Sequence, residues 1–134
     1  MNNLDNMKET NDIGTLTKKE MEIMNVLWEN ETALTASEIL EASINRTWKD
    51  KSLHLLITSI LNKNLIVVDG FKKTDKNYAR AFKPALSQYD YAWKKMTTEM
   101  DKEKRINLIT TIINNLDEEE ILVAKQSIDK RTTA

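Results

Sequence analysis

Residues 48–82 read WKDKSLHLLITSILNKNLIVVDGFKKTDKNYARAF, and a change of period inside this stretch decides the fold. Leu53, Leu56, Ile57, Ile60 and Leu61 fall at the i, i+3, i+4, i+7, i+8 positions of an amphipathic helix, which the spacing predicts over about residues 49–63. From Leu65 the rhythm becomes that of extended chain. Leu65-Ile66-Val67-Val68 is short and β-branched, and Tyr78, Arg80 and Phe82 alternate with Ala79 and Ala81. Between them lies Lys72-Lys73-Thr74-Asp75-Lys76-Asn77, polar, basic and turn-forming. Gly70 inside the first strand predicts a bulge.

Upstream, Thr17-Lys18-Lys19-Glu20 is a capping box, in which hydroxyl and carboxylate satisfy each other's backbone N–H groups. Met21, Met24, Leu27 and Trp28 follow at helical spacing, predicting a helix over about 18–30. Leu34-Thr35-Ala36-Ser37-Glu38 repeats the box and opens a shorter helix to about 45, with Ile39, Leu40 and Ile44 inward. Trp48 reads as a lid on this core. Three helices followed by a hairpin is the order of a winged helix-turn-helix, with the hairpin as wing.

Downstream, Pro84 closes the unit, and Ser87 with Asp90 caps a helix carrying Tyr89, Trp93 and Met96. Ile106, Ile109, Ile112, Ile113 and Leu116 form a further stripe. Asp117 caps a last helix bearing Ile121, Leu122, Ala124, Lys125 and Ile128, with Glu118–Glu120 favourably placed at its start. Helices this short cannot bury such stripes alone and need each other or a second chain; a dimer meeting at Ile106, Ile109, Ile113 and Leu116 is the economical cover. The expected fold class is mainly α with a small β-hairpin. A flexible tail is expected over residues 1–13, a winged helix-turn-helix over 14–86 and a helical dimerisation region over 87–131.

Composition agrees with this division. Of 134 residues 40% are hydrophobic, enough for one core, and two glycines with one proline leave helix to dominate. The absence of cysteine removes disulfides and thiolate metal sites. The first 14 residues lack a signal-peptide pattern, and no apolar run approaches the ~18 residues of a membrane span. A cytoplasmic protein without membrane insertion is expected. The net charge of −1 conceals a strong asymmetry. Residues 1–45 carry three basic and nine acidic side chains, residues 46–83 nine basic and three acidic, and residues 84–134 eight basic and nine acidic. A basic middle in an acidic chain suits a polyanion-binding face.

The candidates for such a face follow from helical phase. Removing the apolar stripe of the third helix leaves Lys51, Ser52, His54, Leu55, Thr58, Ser59 and Asn62 outward, where hydroxyls and an amide could meet base edges and Leu55 a thymine methyl. Lys72, Lys73 and Lys76 at the hairpin tip, with Arg80 on its return strand and Lys49 ahead of the third helix, are suited to phosphate. His54, the single histidine, has no partners spaced for catalysis or metal binding. The methionines sit on helical stripes and read as packing. With no Gly-rich phosphate loop, nucleophile elbow or two-histidine motif, neither catalysis nor a cofactor is expected.

The chain also resembles the penicillinase-repressor family of bacterial regulators (the BlaI/MecI group). The resemblance rests on Leu16-Thr17 with Glu20, Val26-Leu27-Trp28, Leu34-Thr35-Ala36-Ser37-Glu38-Ile39, Trp48 through His54, and Lys63-Asn64-Leu65-Ile66. It is specific over about residues 14–86 and extends to the tail in helical pattern only. It implies a dimeric transcriptional repressor on a palindromic operator in double-stranded DNA, with the tail as dimerisation module. Three departures follow. Leu55 and Ser59 stand where the family usually has threonine and a basic residue, which leaves the operator sequence open. No phenylalanine follows Phe82, so the Asn-Phe bond cleaved in the antibiotic-sensing branch is absent; a sensor protease stays open as a partner, but induction by proteolysis does not follow from the resemblance. The cysteine cluster of the copper-sensing branch is absent too. Two other readings remain: a winged helix that docks proteins through Leu55, and a repressor gated by a small-molecule inducer.

Overall fold

Thr17 opens the first helix as the sequence predicts: its Oγ1 accepts the Glu20 N–H at 3.2 Å, and Glu20 Oε1 accepts the Thr17 N–H at 2.8 Å. The computed structural model describes residues 13–133. Its elements run α1 (Lys18–Trp28), β1 (Leu34–Thr35), α2 (Ala36–Ala42), a 3-10 turn (Asp50–Ser52), α3 (Leu53–Asn62), β2 (Ile66–Lys73), β3 (Tyr78–Pro84), α4 (Gln88–Thr97), α5 (Lys102–Asn114) and α6 (Glu118–Thr132). This is a winged helix followed by C-terminal helices. The tail expected over 1–13 lies outside the described residues except for Ile13, which packs against the core.

Helix α3 ends in a Schellman motif, with Leu65 N–H on Ile60 O at 3.3 Å and Asn64 N–H on Leu61 O at 3.0 Å. Asn64 takes the left-handed conformation that this ending requires (φ 64°), one that asparagine tolerates better than most residues. The chain then turns into β2 with Leu65 and Ile66 buried. Gly70 marks the expected bulge: the register with β3 shifts between Val68 and Phe71, and Gly70 has φ 79°.

The sheet has a third strand that the sequence reading did not assign. Leu34 pairs with Phe82 and Thr35 with Ala81, giving the order β1-β3-β2. Two residues are too short for a period-2 pattern, and the pairing depends on a partner nearly fifty positions away. Thr35 serves twice, in the strand and as N-cap of α2, whose capping box with Glu38 forms as expected.

Helix α2 stops at Ala42, short of 45. Ser43 Oγ donates back to Ile39 O at 2.7 Å, and Ile44, expected inward, is 83% exposed. Ile23, Met24 and Leu27 of α1 pack with Ile39, Trp48, Leu53, Ile57, Ile60, Leu65, Ile66 and Phe82. Trp48 is buried as the expected lid, with the Arg46 guanidinium 5.3 Å from its ring centroid.

Two compact units emerge, one through Ala92 and the other from Trp93. In the first, the start of α4 is anchored by Tyr91 rather than by Tyr89, which is exposed. The Tyr91 hydroxyl accepts the Leu16 N–H at 3.0 Å, and its ring lies 5.9 Å from that of Trp28. Ser87 Oγ accepts the Asp90 N–H at 3.0 Å, as the capping pattern predicts. In the second unit Arg105 lies over the Trp93 ring at 5.6 Å, and Asp117 caps α6 in a full capping box with Glu120. Neither α5 nor α6 has a buried residue.

Candidate nucleic-acid interface

Helix α3 separates its side chains by face. Leu53, Ile57 and Ile60 are buried and Leu56 and Leu61 partly so, while Lys51, His54, Leu55, Thr58 and Asn62 are exposed. Ser52, at the N-cap, is half-buried and makes no capping bond through its side chain. Leu55 is the unusual member, 77% exposed on a helix whose other leucines and isoleucines are covered.

Ser59 departs from the expected outward set. Its hydroxyl donates to Glu20 Oε2, and Lys63 Nζ donates to Glu20 Oε1. The residue sits on the border between the two faces of α3, and the buried carboxylate from α1 draws it inward. Spacing within α3 holds no sign of this, because the capping box alone already explains Glu20. Burial would raise the Glu20 pKa, but the bonds from Lys63, Ser59 and Thr17 outweigh it and lower the value from 4.5 to about 2.

In the wing, Thr74 N–H and Thr74 Oγ1 both donate to Asn77 O, at 2.7 and 2.9 Å, closing the turn between β2 and β3. Lys73 and Lys76 are exposed there. Lys72 instead reaches Glu38 at 2.9 Å, and Lys83 lies 3.9 Å from Asp69. Arg80 stacks over Phe82, 5.2 Å from its ring centroid. Among the described residues, Lys49, Lys51, Lys73, Lys76 and Arg80 have no carboxylate partner, whereas Arg46, Lys63, Lys72 and Lys83 do. The basic middle of the chain thus keeps five unneutralised cations, on the wing and at the entry to α3.

Wing and helix meet in a cleft of about 280 Å³ lined by His54, Ile57, Tyr78, Arg80 and Phe82. The exposed face of α3 and the return strand of the wing therefore border one space. Tyr78 in this cleft was not picked out from sequence, although its place two residues before Arg80 puts both on one face of β3.

The sequence profile of penicillinase repressors matches residues 16–130. The chain belongs to the penicillinase repressor family. A comparison with curated proteins found no match. The family is one of transcriptional repressors, and its match spans the winged helix together with α4, α5 and most of α6. The C-terminal helices are therefore part of the family's architecture. Among the described residues no helix is long and apolar enough to cross a membrane.

Proposed function

We propose that this penicillinase repressor family member is a cytoplasmic, sequence-specific DNA-binding repressor, acting as a homodimer on a palindromic operator. The observation that carries the reading is the shared cleft: His54 of α3 and Arg80 of the wing border one space, so a single duplex can engage both elements. In this reading α3 enters the major groove. Thr58 and Asn62 bond base edges, Ser52 and Lys51 stand where the groove is entered, and Leu55 packs on a thymine methyl. Lys49, Lys73, Lys76 and Arg80 meet phosphates. Residues 14–86 form the DNA-binding part and residues 87–131 the dimerisation part. Support for the dimer comes from α5 and α6, which carry isoleucines and leucines and have no fully buried residue.

Selection of bound duplexes from a random pool by the purified protein tests this directly, and an inverted repeat is the expected product. Binding of that duplex should weaken with salt along a log–log slope of about −0.9 per phosphate contacted. Replacing Lys72, Lys73 and Lys76 together with alanine should flatten the slope by about two to three units, and equally so on unrelated DNA. An unchanged slope would show that the wing does not touch the backbone. The exposure of Leu55 also favours a second reading, protein docking through α3, for which no duplex would be selected.

Leu55 itself offers a sharper measurement. Leu55→Ala should reduce affinity for the selected operator about fivefold, or about 1 kcal/mol, with non-specific binding nearly unchanged. The melting temperature should hold, because the side chain is off the core. A sharp fall in melting temperature, or equal losses on both duplexes, would remove Leu55 from base reading.

A further inference from the structure

We propose that Glu38 competes with DNA for the wing, holding Lys72 until a phosphate displaces it and so tempering the electrostatic part of DNA affinity. The inference rests on the DNA-binding reading above and adds a residue that the reading does not use. Lys72 Nζ donates to Glu38 Oε1 at 2.9 Å, joining the wing to α2. The two side chains are 39% and 43% exposed, so the pair lies where a phosphate can reach the ammonium group.

The carboxylate is not a freely moving surface group. The same Oε1 accepts the Thr35 N–H at 2.9 Å, while the Glu38 N–H donates to Thr35 Oγ1 at 3.2 Å. The capping box thus pins the acid in place whether or not the lysine is present. The Thr35 N–H, followed by Lys72, holds the Glu38 pKa below its ordinary value, which keeps the group charged at neutral pH. Lys73 and Lys76, on the same wing, have no carboxylate partner among the described residues. One of the three wing lysines is therefore conditional. It is already neutralised in the free protein, and using it on DNA leaves an unpaired carboxylate close to the backbone.

The physical consequence is fewer counterions released per complex. A repressor must leave the large excess of non-operator DNA, and damping the salt-dependent term without altering base contacts serves that end.

The test compares the full-length protein with Glu38→Gln, Lys72→Ala, Lys73→Ala and the double variant, on the selected operator and on a scrambled duplex, between 50 and 200 mM salt. Glutamine retains the capping box, so the fold is expected to persist. Glu38→Gln should steepen the slope by up to about 0.9, which over that salt range is about three- to fourfold in affinity. Lys72→Ala should flatten the slope less than Lys73→Ala does, and in the Lys72→Ala background most of the Glu38→Gln effect should vanish. If Glu38→Gln matches the parent while Lys73→Ala flattens the slope, Glu38 is only a helix cap and the proposal is overturned. If the parent binds neither duplex, the DNA-binding reading falls and the proposal with it.

Discussion

Ile109→Asp with Ile113→Asp is expected to give a monomer in sedimentation at concentrations where the parent protein sediments as the proposed dimer. In a single chain Ile109 is 42% and Ile113 49% exposed, and no residue of α5 is fully buried. A helix of 13 residues is marginal in water without tertiary cover. The neighbouring hydroxyls are already satisfied within the helix: Thr110 Oγ1 donates to Ile106 O at 3.0 Å and Thr111 Oγ1 to Asn107 O at 2.9 Å. At about 100° per residue Ile106, Ile109 and Ile113 share one side of α5, with Thr111 on the opposite side, so the apolar stripe is continuous. In a two-fold interface each substitution counts twice, placing four carboxylates in an apolar contact, each costing several kcal/mol unless it is protonated or exposed. Operator affinity should fall with the dimer, because two linked half-sites gain from effective concentration what one half-site cannot. Melting of the winged helix should be unaffected. A variant that remained dimeric would move the interface away from Ile109 and Ile113.

What could be read from the sequence was whatever local chemistry decides. The capping boxes at Thr17 and Thr35 each need only four consecutive residues, and both formed as read. The Gly70 bulge and the apolar stripe of α3 are local in the same sense. Most of the readings that missed depend on partners distant in sequence. Strand β1 exists because β3 passes beside it. Ser59 turns inward because a carboxylate from α1 lies beneath it. Tyr91, rather than Tyr89, was selected by Trp28 and the Leu16 N–H, 63 and 75 residues upstream. Ile44 kept its helical phase in the pattern, but the helix had already ended at a serine that bonds its own backbone. The candidate site shows the same division. The exposure of Leu55 followed from phase alone, whereas the capture of Lys72 by Glu38 required the wing to fold back over α2.

Glu20→Gln is expected to lower the melting temperature at pH 7 by roughly 10 °C, through a loss of about 2 kcal/mol in a domain of this size. Glu20 is only 2% exposed, and its carboxylate takes bonds from Thr17, Ser59 and Lys63. Gly14 helps to close the site, donating its N–H to Lys63 O at 3.0 Å; a Cβ there would clash with Lys63 Cγ. Glutamine preserves the cap by keeping its single carbonyl oxygen on the Thr17 N–H, and its NH2 group then donates to the Ser59 hydroxyl, so what it chiefly removes is the charge. The stranded Lys63 is 24% exposed and can swing its ammonium to water, which keeps the loss below the ~3–5 kcal/mol of a fully enclosed broken pair. The pH dependence distinguishes charge from packing. The folded pKa of about 2 lies below the ordinary 4.5, so the carboxylate's contribution is complete above about pH 4.5 and is lost as pH falls toward 2. That difference corresponds to about 3 kcal/mol at neutral pH. The parent should therefore lose stability steeply on this acid limb while Glu20→Gln loses less, and the two should converge near pH 2. Equal melting temperatures at pH 7 would mean that the cost of burying the pair cancels its attraction. A gap that persisted unchanged down to pH 2 would assign the loss to packing and not to charge.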